Sequence, residues 1–266
     1  MMLKIKAFIL LIISIQAKAQ DMDKAQDMDI YQKKYHLFQG DTLPYRIMFP
    51  ADFDESRKYP LLLFLHGAGE RGSDNEKQLV HGASLFADPS IRKEFPAVIV
   101  FPQCAKDDWW ARMDRSGDPG GKRSFTFHSK GPPTPSMRGV LDLLDDLLSA
   151  AYIDHDRVYL GGLSMGGMGT FDLLSLKPDI FAAAFPICGG GNPRTARKIS
   201  RVTAFWIFHG AEDETVDPQY SEEMAAALKK HKGDVKLTIY PGTGHNSWDS
   251  AFAEKDLLPW VFSHRR

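Results

Sequence analysis

A serine set between glycines, Gly162-Leu163-Ser164-Met165-Gly166, follows the β-branched and aromatic run Arg157 to Leu160. Apolar residues at helical spacing come next, at Met165, Met168, Phe171, Leu173 and Leu174. A strand that passes into a helix within about two residues forces Ser164 into a strained turn, and Gly162 and Gly166 let the two elements approach closely. The hydroxyl is then held at the end of a sheet beside free N–H groups at a helix N-terminus, a place suited to a forming oxyanion. Such a hydroxyl is a weak nucleophile until a base takes its proton, so the chemistry calls for a histidine and a carboxylate elsewhere in the chain.

Both are present, in the order serine, acid, histidine. The acidic loop Glu212-Asp213-Glu214-Thr215-Val216-Asp217 comes after the apolar run Thr203 to Phe208, and Pro241-Gly242-Thr243-Gly244-His245 comes after Val235 to Tyr240. Upstream, His66-Gly67-Ala68-Gly69 ends the apolar run Pro60 to Leu65 and can present the Ala68 N–H toward Ser164, with the Met165 N–H as second oxyanion donor. His209, before a glycine at a strand end, reads as a packed residue. Asp217, followed by Pro218, suits the N-cap of a helix running to Lys230.

The elements that must position these residues alternate. Lys34 to Phe38 and Leu43 to Phe49 form an antiparallel pair at a sheet edge, with Pro44 fitting an edge strand or a strand start. Strands are expected at Pro60 to Leu65, Ala97 to Phe101, Arg157 to Ser164, Ile180 to Cys188, Thr203 to Phe208 and Val235 to Tyr240. Helices are expected at Asn75 to Phe86, Met137 to Leu148, from Ser164 onward, at Pro218 to Lys230, and at Phe252 to Phe262 with an interruption near Pro259. The pattern is that of an α/β fold with a mostly parallel central sheet, helices on both faces, and ligands bound at the carboxyl ends of the strands. Between Ala105 and Pro135 periodicity stops, and a long connection carries Trp109, Trp110, Phe125, Phe127 and His128. Trp109 and Trp110, with Trp248 near His245, are candidate substrate contacts.

The 266 residues are 43% hydrophobic and 25% charged with a formal net charge of -1, enough for one large core and without a basic field for nucleic acid. Lys4 and Lys6, the apolar run Ala7 to Ile15 and Ala17-Lys18-Ala19 read as a secretory signal cut after Ala19, leaving no stable membrane anchor and a secreted or periplasmic protein. The duplicated Lys18-Ala19-Gln20-Asp21-Met22-Asp23 and Lys24-Ala25-Gln26-Asp27-Met28-Asp29 read as a flexible leader, so residues 1–19 are signal, 20–32 leader and 33–266 the catalytic domain. The nine histidines hold no H-E-x-x-H and no i, i+4 pair, so neither a metal nor another cofactor is called for.

Together Leu65-His66-Gly67-Ala68-Gly69-Glu70-Arg71-Gly72, Pro102-Gln103-Cys104 with Trp109-Trp110, Gly162 to Gly167, His209-Gly210-Ala211-Glu212-Asp213 and Gly244-His245 resemble the α/β-hydrolases of the secreted esterase type. The nearest groups are the polyhydroxybutyrate-depolymerase-like, feruloyl and acetylxylan esterases and the dienelactone-hydrolase and phospholipase/carboxylesterase-like proteins. The resemblance implies Ser164 as nucleophile, His245 as base and then acid, Asp213 as orienting carboxylate, and Ala68 and Met165 as oxyanion donors. It implies a serine esterase for small or polysaccharide-linked acyl or feruloyl esters, without a cofactor. A serine peptidase of the prolyl-oligopeptidase-like type is the enzymatic alternative, disfavoured because no propeller precedes the catalytic part. A non-catalytic binding protein is the other alternative, and it would be expected to lack a triad member. In the strand order that the resemblance implies, two strands stand between those leading to Cys104 and Cys188. Three spacings of about 4.8 Å then hold the thiols roughly 14 Å apart, beyond the reach of a disulfide.

Overall fold

The computed structural model describes residues 28–117 and 123–266; the expected signal and most of the expected leader lie outside them. In chain order come β1 (Gln32–Phe38), β2 (Asp41–Met48), β3 (Tyr59–Leu65), α1 (Ala83–Ala87), α2 (Pro89–Glu94), β4 (Val98–Pro102), β5 (Met113–Ser116) and β6 (Ser124–Phe127). After them come α3 (Pro135–Ser149), β7 (Ile153–Leu163), α4 (Met165–Leu176), β8 (Ala183–Ile187), α5 (Ala196–Ile199), β9 (Ala204–Gly210), α6 (Gln219–Lys230), β10 (Val235–Tyr240), α7 (Trp248–Phe252) and α8 (Leu257–Ser263).

Eight strands form one sheet in the order β1-β2-β4-β3-β7-β8-β9-β10, parallel from β4 to β10 and antiparallel at β1 and β2. Its unbroken apolar strands are sorted by their two-residue period into two cores. Leu61, Leu63 and Leu65 of β3 point to the face covered by α3, α4 and α6, while Leu62 and Phe64 point to the face covered by α1 and α8. Two strands, β3 and β7, separate β4 from β8, and Cys104 and Cys188, which lie just past those two strand ends, are free and buried.

Several expectations need correction. Tyr31 is buried with its hydroxyl donating to the Ala83 carbonyl, and β1 opens at Gln32, so the fold starts before residue 33. Pro44 lies in β2, one strand in from the edge. Its carbonyl accepts from Gln103 N–H just beyond the end of β4, so its missing N–H falls where the ladder has run out. The helix expected over Asn75 to Phe86 is broken by left-handed backbone at Asn75 (φ 55°) and Gly82 (φ 84°). Tertiary hydrogen bonds override its periodicity: Asn75 N–H donates to Gln103 Oε1, its carbonyl accepts from Arg46, and its amide donates to the Lys34 carbonyl. The chain instead makes a single turn at Lys77–Leu79 and then the short helices α1 and α2, the latter capped by Asp88. The strand expected from Ile180 begins only at Ala183. The C-terminal helical stretch is interrupted at residues 253–256, not at Pro259, which sits in the first turn of α8 where its absent N–H has no intrahelical partner to lose. Within the patternless 105–135 connection, β5 and β6 pair as a hairpin. Among the described residues no helix is long and apolar enough to cross a membrane.

Candidate active site

The turn after β7 is tightly closed. Ser164 has φ 54° and ψ -116°, a conformation that residues other than glycine rarely adopt and that the surrounding packing must impose. A Cβ on Gly162 would overlap the Gly166 carbonyl, and one on Gly166 would overlap the carbonyl of Leu65 in β3, so strand and helix close on each other only because both positions are glycine. Ser164 N–H donates to the Ile187 carbonyl of β8 at 2.8 Å, which ties the turn to the neighbouring strand. Met165 opens α4 and is buried, and its N–H belongs to the first helical turn, whose donors have no intrahelical acceptor.

Ser164 Oγ lies 2.9 Å from His245 Nε2, and His245 Nδ1 lies 2.7 Å from Asp213 Oδ2. Because the carboxylate accepts, the proton of the neutral ring is assigned to Nδ1, which leaves Nε2 free to accept from the serine hydroxyl. Asp213 is buried and accepts more: Thr215 and Val216 donate their N–H groups to Oδ1 at 2.8 and 2.9 Å, and His209 Nε2 reaches Oδ2 at 3.1 Å. Burial by itself would raise the carboxyl pKa. The donors from His209, His245 and Val216 outweigh it and hold the group well below the usual carboxylate range, ionised throughout the neutral region. Asp217 takes no part in this set; its carboxylate accepts from Gln219 N–H at 3.0 Å at the start of α6.

His209 is packed, as the sequence suggests, yet it also contributes to the site. Its Nε2 faces two acceptors, Asp213 Oδ2 and the Val216 carbonyl at 2.9 Å, so that nitrogen carries a proton, while Nδ1 faces Ser221 Oγ on α6 at 2.7 Å. The visible signal was the His-Gly-x-x-Asp spacing, but Ser221 is unremarkable in the sequence.

The other wall is the 66–72 loop. Gly67 packs so closely on the Ser164 turn that a Cβ there would lie 2.9 Å from Leu163 Cδ1 and 3.7 Å from Ser164 Cβ. Ala68, next in the chain, opens a single turn of 3₁₀ helix and is half-buried beside it. Both ends of this loop are held by one residue: Cys104 N–H donates to His66 Nε2 at 2.9 Å, and its carbonyl accepts from Gly72 N–H at 2.9 Å. The His66 ring is buried, and desolvation brings its pKa down to about 4, so it stays neutral while its Nδ1 proton is directed at the Gly67 carbonyl.

The three tryptophans part company. Trp110 is fully buried, its indole N–H donating to the His66 carbonyl at 3.0 Å, and it cannot touch a substrate. The packing of Trp110 on Gly169 and of Ala111 and Phe125 around Met168 of α4, invisible without the fold, is what draws it inside. Trp109 remains half-buried under the Arg71 guanidinium, 4.8 Å from the ring centroid. Trp248 meets the His245 ring edge-on at 5.5 Å and stands 5.1 Å from the ring of His81, which in turn lies 3.8 Å from Glu70. Glu70, from the Gly-Glu-Arg-Gly segment, and His81, which no motif marks, thus join the site's rim.

Residues 53–255 match the family model described as phospholipase/carboxylesterase. A bifunctional acetylxylan esterase/xylanase of Neocallimastix patriciarum is 29% identical over 201 residues, 76% of this chain and 26% of that protein. Poly(3-hydroxyalkanoate) depolymerase C of Paucimonas lemoignei is 26% identical over 229 residues, 72% of this chain and 50% of that protein. The chain therefore spans between a quarter and a half of the length of these relatives. The crystal structure of a thermostable esterase superposes with a TM-score of 0.81 at 31% identity, covering 91% of this chain and 64% of that one.

Proposed function

From the premise that the chain belongs to the phospholipase/carboxylesterase family of α/β-hydrolases, we propose that it is a serine carboxylic-ester hydrolase working through an acyl-enzyme. The observation that carries this reading is the continuous line of hydrogen bonds from Asp213 through His245 to Ser164, 2.7 and 2.9 Å long. Ser164 Oγ attacks the acyl carbon while His245 Nε2 takes its proton, and Asp213 holds the ring in the tautomer that can do so. The N–H groups of Ala68 and Met165 receive the oxyanion, each worth about 3 kcal/mol in the transition state. His245 then returns its proton to the leaving alcohol, and water repeats the sequence on the acyl-enzyme.

The substrate class we favour is a small acyl or feruloyl ester linked to a carbohydrate. The name of the acetylxylan esterase relative supports it. Trp109 and Trp248 are the ring-bearing candidates to contact the substrate.

A fluorophosphonate should label Ser164, and Ser164→Ala should abolish both labelling and hydrolysis of aryl esters, feruloyl esters and acetylated xylan. Labelling of a different serine would refute the assignment. Peptide cleavage at a rate comparable to ester cleavage would move the reading to a peptidase.

A further inference from the structure

Behind the two polar partners of Ser164 lies a third group that the hydrolysis does not use. Cys188 sits just past β8, fully buried, with its backbone in the left-handed region at φ 41° and its N–H donating to the Phe208 carbonyl at 2.8 Å. Its sulfur, a carboxylate oxygen of Asp213 and a ring nitrogen of His245 all lie within 4.8 Å of one another. Ser247, two residues past His245 and also fully buried, turns its hydroxyl to the Cys188 sulfur.

We propose that Cys188, Asp213 and His245 form an inhibitory site for a thiophilic divalent cation of the zinc type, with the Ser247 hydroxyl beside it as a fourth ligand. One sulfur, one imidazole nitrogen and one carboxylate oxygen are a ligand set that a tetrahedral d¹⁰ ion accepts, at about 2.3 Å to sulfur and 2.0–2.2 Å to nitrogen and oxygen. To meet those bond lengths the His245 Nδ1–Asp213 Oδ2 pair, now 2.7 Å apart, opens by about half an ångström while the sulfur, within 4.8 Å, closes in. His245 is the member open to solvent, its side chain 23% exposed against none for Asp213, so the ion enters as that ring turns.

The inhibition comes from the tautomer. A metal on Nδ1 takes the lone-pair position that the Nδ1 proton holds, the ring keeps its one proton on Nε2, and Nε2 can no longer accept from Ser164. The thiol proton of Cys188 passes to solvent, so the bound site holds a thiolate, a carboxylate and a neutral imidazole. Hydrolysis stops without any displacement of the nucleophile turn. The site itself rests on the cluster's geometry, and only its inhibitory effect rests on the esterase reading.

Zinc chloride is titrated into the intact protein by calorimetry, and in parallel into p-nitrophenyl acetate hydrolysis. One equivalent should bind, hydrolysis should fall in step with it, and a chelator should restore the rate. Cys188→Ala should hydrolyse the ester at close to the wild-type rate and need at least about tenfold more zinc, the lower end of what even an outer-shell partner contributes to metal affinity. Cobalt binding to the wild-type protein, which needs no variant, should produce a thiolate-to-metal charge-transfer band. Equal zinc sensitivity of Cys188→Ala, or cobalt binding without that band, overturns the site. Ester hydrolysis that zinc leaves untouched overturns it too and leaves the esterase standing. Binding through Cys188 in a protein that cleaves no ester keeps the site and removes the esterase.

Discussion

The turn at Ser164 and the loop at Asp213 both hold a functional group in one orientation, and they do so by opposite means. At Ser164 the restraint is steric: strand, helix and the neighbouring β3 meet so closely that Gly162 and Gly166 have no room for a side chain. At Asp213 the restraint is a set of donors, two backbone N–H groups and two histidine rings converging on one carboxylate. Crowding fixes a backbone and tolerates no added atom, whereas hydrogen bonding fixes a charge and tolerates a change of shape better than a change of proton. The two regions should therefore fail differently.

The largest effect is expected at the crowded end. Gly166→Ala drives a methyl group into the Leu65 carbonyl and should cost more than about 4 kcal/mol, enough to lose soluble folded protein and all activity together. Normal melting of that variant would mean that the turn can relax and that sterics do not fix Ser164. At the other end Asp213→Asn keeps the shape, and turnover should drop about 10⁴-fold, the size of the effect in a serine protease, with near-normal melting. A large stability loss there, with turnover largely kept, would show that the loop is structural.

A pH titration bears on the 66–72 loop, which touches both kinds of restraint. The His66 ring titrates at about 4 in the fold against about 6.5 in an unfolded chain. Between those values the unfolded state binds a proton that the folded state refuses, so stability is complete above pH 6.5 and declines as pH falls toward 4. The loss reaches up to about 3 kcal/mol and levels off below that. Urea midpoints measured across this window for the wild type and His66→Gln should converge toward the acid side; parallel curves would remove His66 as the source. The smallest effect belongs to Asp217→Ala, which removes the acceptor for Gln219 N–H and should cost about 1 kcal/mol of stability while leaving turnover alone. If Asp217→Ala lost turnover and Asp213→Asn lost only stability, the acid would be Asp217.

Legibility in the sequence divides along the same line. Steric restraint writes glycines at fixed spacing, so the turn at Ser164 and the alternation of strands and helices could be read from the residues, while the sheet positions on either side of the two cysteines came with the strand order that the resemblance implies. Hydrogen-bonded restraint leaves no such trace. Nothing in the letters says that Ser221 backs His209, that His81 meets Trp248, or that Asn75 is held out of a helix by Arg46 and Gln103. Trp110 shows the limit from the other side. An aromatic residue in a loop invites the reading of a contact surface, but burial is set by what the loop folds onto, here the 66–72 loop and α4.

The 105–135 excursion is held at its base and again further out, where the Arg112 guanidinium pairs with Asp172 on α4, Phe125 N–H donates to the Tyr220 hydroxyl and the Phe127 carbonyl accepts from Asn192. The chain leaves the sheet at Ala105 and returns at Ser136, and the two ends are stitched together: Ala105 N–H donates to Ser136 Oγ, Ser136 N–H to Asp108, and Thr134 Oγ1 to the Trp109 carbonyl. Because closure entropy grows only logarithmically with length, insertions in the connection between β5 and β6 should cost only about 0.6 kcal/mol per doubling, with no strand of the main sheet disturbed. The connection between β5 and β6 is in that sense a cassette. A lineage, or an engineer, could vary it while Ser164, His245 and Asp213 stay where they are.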